Sequence, residues 1–203
     1  MFALFPAKVT QAFTLFFAIA AMPALANCPT QGDVSSGIWL KNGETWLLRE
    51  QSLVETGIVV EMKSQDTRRI GFANHYAHPM LFSELFMSFT SSKRAYEQPV
   101  APLDDLESLK KWQSDFTVTD GRNEPEIGTV SVEFQKNRIE RVGSCKYKVW
   151  EVLVREHLAG TEDRVQKVLY SPELKIVLKR SFAMHNSALV WDRGYDGIRT
   201  NSE

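Results

Sequence analysis

Cys145-Lys-Tyr-Lys-Val-Trp-Glu-Val-Leu-Val-Arg-Glu156 decides the fold of this chain, together with the two segments that follow it. It reads as one long strand. Leu158-Ala-Gly-Thr161 turns it into Asp163 to Tyr170, and Ser171-Pro-Glu173 turns that into Leu174-Lys-Ile-Val-Leu-Lys-Arg-Ser-Phe182. Upstream, Val130, Val132 and Phe134 alternate with Thr129, Ser131 and Glu133, the pattern of a half-exposed strand. Gln135-Lys-Asn137 reads as a turn into Arg138 to Val142, and Ala188-Leu-Val-Trp191 as an edge strand. Consecutive strands joined by short turns make an antiparallel meander.

The first half repeats the theme. Ser36 to Lys41 and Glu44 to Arg49 flank Asn42-Gly43, a strong short-range hairpin signal that predicts a type I′ turn. Ser52 to Lys63 and Arg68 to Tyr76 read as two more strands, joined through Ser64 to Thr67. Pro79 to Ser91 fits two patterns. Phe82, Leu85, Phe86 and Phe89 fall at i, i+3, i+4 and i+7, one face of a helix, and Pro79 suits a first turn. Met87, Phe89 and Thr90 also suit a strand; the spacing favours a short helix. After the linker Tyr96 to Pro102, Leu103, Leu106, Leu109 and Trp112 recur every three residues. Asp104 and Glu107 resemble a capping box, so a helix over Asp104–Gln113 is expected. Asp115 to Thr119 reads as a short strand. The fold class is therefore mainly β (α+β): a curved antiparallel sheet or half-open β-barrel, with one or two short helices covering one face.

Met1 to Ala26 has the three parts of a secretory signal: Lys8, an apolar run from Ala12 to Ala21, and the small-x-small ending Ala24-Leu-Ala26. The run is shorter than the ~20 apolar residues that span a bilayer. Cleavage is placed between Ala26 and Asn27. The competing readings are an uncleaved anchor, and a lipoprotein modified at Cys28, for which Asn27 is a poor preceding residue. The expected organisation is a signal peptide over 1–26, a single β-rich domain over 27–191 and a flexible tail over 192–203. Removing 26 of the 203 residues leaves 177, and the loss of Lys8 takes the net charge from −1 to −2. That balance gives no electrostatic footprint for nucleic acid or an anionic membrane surface. No later segment is long and apolar enough to span as a helix.

Cys28 and Cys145 are the only cysteines. An even count in an exported chain favours a disulfide, which here would pin the new N-terminus to the start of a strand.

The segment Cys145 to Val152, then Gly160, then Tyr170-Ser-Pro-Glu-Leu-Lys-Ile-Val-Leu-Lys179 resembles the closing hairpins of bacterial exported β-sheet proteins, uncharacterised envelope families among them and, more distantly, the LolA-like lipoprotein-carrier superfamily. The resemblance covers the last third of the chain. It implies a half-barrel sheet with helix over its open side, located in the periplasm, whose concave apolar face holds acyl chains. No ligand-contacting residue is carried over by it.

Chemical motifs are sparse. His75-x-x-His78 is the only paired histidine. On a continuous strand residues three apart face opposite ways, so only a turn at Ala77 to Pro79 would bring them together, and a structural zinc takes four ligands. His157 and His185 stand alone. Asp104, Asp105 and Glu107 suit a helix N-terminus. Ser108 and Lys111 have Ser-x-x-Lys spacing without the partner motifs of acylating enzymes. No catalytic constellation, metal site or cofactor motif is expected. Met80, Phe82, Leu85, Phe86 and Phe89 form the main apolar feature, read either as core or as a lid over an apolar pocket. Three functions follow, in order. The first is non-catalytic binding of an apolar or lipidic small molecule. The second is an interaction module for another envelope protein. The third is a metal-assisted hydrolase using His75 and His78, with Glu84 or a distant histidine as a third ligand.

Overall fold

The computed structural model describes residues 28–55, 57–65, 70–87, 90–120, 123–184, 190–191 and 194–201. The expected signal peptide, its cleavage point at Ala26 and Asn27, and the residues Phe89 and His185 lie outside them, as do the side chains of Leu85 and Phe86.

Among the described residues, thirteen strands form one antiparallel sheet. They are β1 (Ile38–Asn42), β2 (Thr45–Val54), β3 (Gly57–Ser64), β4 (Ile70–His78), β5 (Leu81–Met87), β6 (Thr90–Tyr96), β7 (Lys111–Thr119), β8 (Glu126–Val142), β9 (Cys145–Leu158), β10 (Arg164–Ser171), β11 (Ile176–Met184), β12 (Val190–Trp191) and β13 (Gly197–Thr200). Each strand from β1 to β11 pairs with the next in sequence, and β13 returns to pair with β1. The sheet therefore runs from edge strand β12 to edge strand β13 and is not closed into a barrel. Among the described residues there are also two short helices: α1 (Gln31–Ser35), and α2 (Leu106–Leu109), which continues a 3₁₀ turn over Ala101–Asp105.

The expected mainly β architecture is present, with five local corrections. The stretch from Pro79 to Ser91 is no helix. Pro79 and Met80 make a turn, and the chain continues as the β5–β6 hairpin, in which Phe86 pairs with Ser91 and Met87 with Thr90. Phe82 is placed by a cross-strand neighbour, Tyr76, whose ring stacks on it at 4.7 Å. That pairing outweighs the helical spacing. The second helix ends at Leu109, four residues early. Lys110 takes φ +66° and donates its N–H to the Leu106 carbonyl, after which Trp112 belongs to β7. Leu103 and Leu106 are buried while Leu109 is exposed, so the three-residue spacing spans two kinds of element.

Gln135-Lys-Asn137 is no turn. Strand β8 continues through it with a bulge at Gln135, where Phe134 pairs with Val152 and Lys136 with Glu151. One extra residue kinks a strand without ending it. Finally, the expected tail is not wholly tail. Ile198 pairs with Leu40 and is buried, and Thr200 pairs with Ile38. Four residues alternating inward and outward are too short a pattern to read. The Asn42-Gly43 hairpin is present, shifted by one: Asn42 pairs with Thr45, so the loop is Gly43-Glu44, with positive φ at Gly43 alone. A glycine in the first loop position is the type II′ pattern.

Two clusters of buried side chains form the core. The first gathers Val34 of α1, Leu40, Val60, Met62, Tyr147, Val149, Ile176, Leu178 and Ile198 around Cys145. The second gathers Leu103 and Leu106 of the helical segment with Met80, Leu81, Trp112, Val132, Trp150, Val152 and Tyr170. Val149 belongs to one and its neighbour Trp150 to the other, so both faces of β9 are covered there. Met62 of β3 packs in one cluster with Leu178 of β11, although seven strands lie between them in the sheet. The sheet curls until strands from its two halves meet.

Candidate functional site

Where the two halves meet they leave a cavity of about 150 Å³. Strands β2, β3 and β4 supply one wall and β11 the other. Ile58, Val60, Met62 and Leu178 make it apolar on part of its lining. Arg49, Lys179 and Arg180 also line it, and among the described residues no acidic one does.

Arg49 arrives there by strand periodicity. It follows Leu47 by two positions on β2 and so shares the face that packs on the core. The side chain is only 7 % exposed. Its Nη2 donates to Gln51 Oε1 at 2.9 Å, and its Nη1 is buried with no hydrogen-bond partner. Arg180 lies over the Phe82 ring at 5.0 Å. Its Nη1 donates to Gln166 Oε1 at 3.1 Å and its Nη2 to the Pro79 carbonyl at 2.7 Å. All these acceptors are neutral. Burial pulls both guanidiniums below the usual arginine range, yet arginine stays protonated in proteins. Burial also raises the Tyr76 hydroxyl, with the two arginines opposing that rise. Burying a cation without a counter-charge costs several kcal/mol, and among the described residues the printed hydrogen-bond acceptors of both guanidiniums are neutral.

The sequence-predicted residues lie mostly elsewhere. Met80 is buried in the second core cluster, beneath the helical segment, and is not in the cavity wall. Phe82 is buried between the Tyr76 ring and the Arg180 guanidinium. His75 and His78 have separate carboxylates. His75 Nδ1 stands 3.5 Å from Glu84 Oε2, its cross-strand partner. His78 is buried; its Nδ1 accepts the Met80 N–H at 3.3 Å, which leaves the proton on Nε2, 3.5 Å from Asp104 Oδ1. That is ion-pair distance rather than a formed hydrogen bond, so among the described residues Nε2 is buried without a hydrogen-bond partner. Asp104 also takes Lys175 at 3.1 Å. Among the described residues, no three His, Cys, Asp or Glu side chains gather closely enough to hold a metal ion.

Cys28 and Cys145 form a disulfide, and Cys145 opens β9 as expected. No helix among the described residues is long and apolar enough to cross a membrane.

Arg49 and Arg180 were not legible as site residues. The one signal available was a cation on the inward face of Thr45–Val54, two places after Leu47. Comparison of the chain with protein-family models, with curated proteins and with solved structures finds no match.

Proposed function

We propose that this chain is an exported, periplasmic protein that binds an apolar or lipidic ligand, without catalysis, on the concave side of its curled sheet. One observation carries the reading: the cavity between β2–β4 and β11, with Ile58, Val60, Met62 and Leu178 in its wall. Pockets for small molecules are typically apolar and hold a few placed polar groups. The open sheet with a short helical segment across one core cluster is also the architecture that the LolA-like resemblance implies; the kinship belongs to the proposal. Export is supported by the Cys28–Cys145 disulfide, since such bonds persist in oxidising compartments. The absence of catalysis is supported at the paired histidines, where His78 spends its Nδ1 on a backbone N–H and so lacks a base's free lone pair.

Native mass spectrometry of the protein purified from periplasm without reduction tests this. The expected spectrum shows the mature chain carrying an adduct that organic extraction removes and that proves to be an apolar or lipidic molecule. A bare chain mass before extraction, with no uptake of added lipid, overturns the reading.

A further inference from the structure

Three features mark the cavity as more than an apolar space. Among the described residues, three cationic ones line it and no carboxylate does. Arg49 is buried with one guanidinium nitrogen unpartnered. Arg180, across the cavity on β11, is fixed by Gln166 and the Pro79 carbonyl, both neutral. The part-buried Arg94, by contrast, has a carboxylate: it meets Glu156 at 2.7 Å. The contrast matters, because buried charges in proteins are as a rule paired. A charge left without its counter-ion in a cavity wall is a place for one brought by a ligand.

We infer that the Arg49–Arg180 end of the cavity is a clamp for an oxyanion, the carboxylate or phosphate end of an amphiphile whose apolar part lies along Ile58, Val60 and Met62. The inference rests on the apolar-ligand reading and adds the chemical class of the ligand. Guanidinium forks suit planar carboxylates and phosphates, and hydrogen bonds to charged groups are the strong ones. Tyr76, also in the wall, carries a hydroxyl beside the two cations. Size agrees with one end of a molecule rather than a whole lipid: an engineered cavity of ~150 Å³ takes a benzene. A longer chain extends beyond the cavity, which is partly open to solvent.

Titration calorimetry with three probes separates the parts: sodium octanoate, octan-1-ol and inorganic phosphate. The unmutated protein is expected to bind octanoate roughly tenfold or more tighter than octanol, the advantage of charge-assisted hydrogen bonds. Arg49→Met is expected to abolish that preference. It also replaces an unpartnered buried cation by an apolar side chain of similar length, so its Tm should stay level or rise. A Tm that does not fall separates loss of the clamp from loss of the fold. Arg49→Lys should keep part of the preference. If octanoate binds no better than octanol, or if Arg49→Met leaves the preference intact, the clamp is overturned, whatever octanol does. Octanol alone judges the apolar reading. Phosphate and octanoate binding that depend on Arg49, without octanol binding, keep the clamp, overturn the apolar reading and identify a free anion as the ligand.

Discussion

Cys28 is bonded to Cys145 across 117 positions of sequence, tying the segment before α1 to the first residue of β9. Around the bond, Tyr147 donates its hydroxyl to the Pro29 carbonyl at 3.2 Å, and Cys145 is itself in the core. The chain-entropy model gives a loop of this length a ceiling of about 4–5 kcal/mol. Urea denaturation of the Cys28→Ser/Cys145→Ser protein should therefore show a loss of about 2–5 kcal/mol against the oxidised parent. A loss within experimental error would mean that the α1 segment contributes little to the folded state.

Glu156 is the second point of tension. It is 6 % exposed on β9, with Arg94 at 2.7 Å and Arg164 at 3.9 Å. Removing the one acid leaves two guanidiniums facing each other without a counter-charge. Glu156→Gln should cost about 3–5 kcal/mol in urea denaturation. The double change Arg94→Met/Glu156→Leu should recover a large part of it, because an apolar pair of similar volume often replaces a buried ion pair at little cost. Additive losses from the two changes would show that the pair is not energetically coupled.

His78 and Asp104 set the acid dependence. Burial holds the His78 ring below its ordinary 6.5, against the opposing pull of Asp104. The folded chain therefore resists protonation where the unfolded chain accepts it. The contribution of this residue is present in full above pH 6.5 and is lost as pH falls from there through the lowered folded value. Asp104 acts further down. The neighbouring His78 ring and Lys175 hold its carboxyl at about 2 against an ordinary 3.8, so its contribution is lost only as pH falls from 3.8 toward 2. His78→Asn keeps an acceptor for the Met80 N–H and removes the titration. Denaturation midpoints at about pH 7.5 and about pH 5 should converge between variant and parent as pH falls. Parallel midpoints would place the acid sensitivity in another group.

The sheet was legible because β9, β10 and β11 alternate or run apolar between turn residues, and local sequence alone fixes those elements. Where reading failed, tertiary partners decided. Phe82, Leu85 and Phe86 have helical spacing, but antiparallel neighbours were available: β4 pairs with Phe82, and β6 with Leu85 and Phe86. Gln135-Lys-Asn137 has turn composition, yet both flanks pair with the same strand, β9, so a bulge absorbs the extra residue. Trp112 extends a helical spacing in sequence and a strand in space, held by its indole N–H to the Pro99 carbonyl at 3.0 Å. The cavity was not legible for a related reason. Its walls come from strands far apart in the chain, and Arg49 and Arg180 become a pair only after the sheet curls.

Gly57 tests how tightly that curl is built. It opens β3 at φ +133°, a backbone conformation that residues with a Cβ rarely adopt. A Cβ placed there would lie 2.2 Å from the Tyr76 carbonyl oxygen, which is backbone and has little room to move. Ile58, the next residue, pairs with Tyr76, and both line the cavity. Gly160 is the natural control: its φ is +77°, and a Cβ there meets nothing within 4 Å. Gly160→Ala should cost about 1 kcal/mol, the conformational penalty alone. Gly57→Ala adds a clash and should cost about 1–3 kcal/mol more in urea denaturation. Because β3 must part from β4 to admit the methyl group, the same variant should also weaken octanoate binding while retaining the native far-ultraviolet dichroism. Equal losses in the two alanine variants would mean that β3 and β4 separate easily at this end, and that the cavity wall is softer than the close approach of Gly57 to Tyr76 implies.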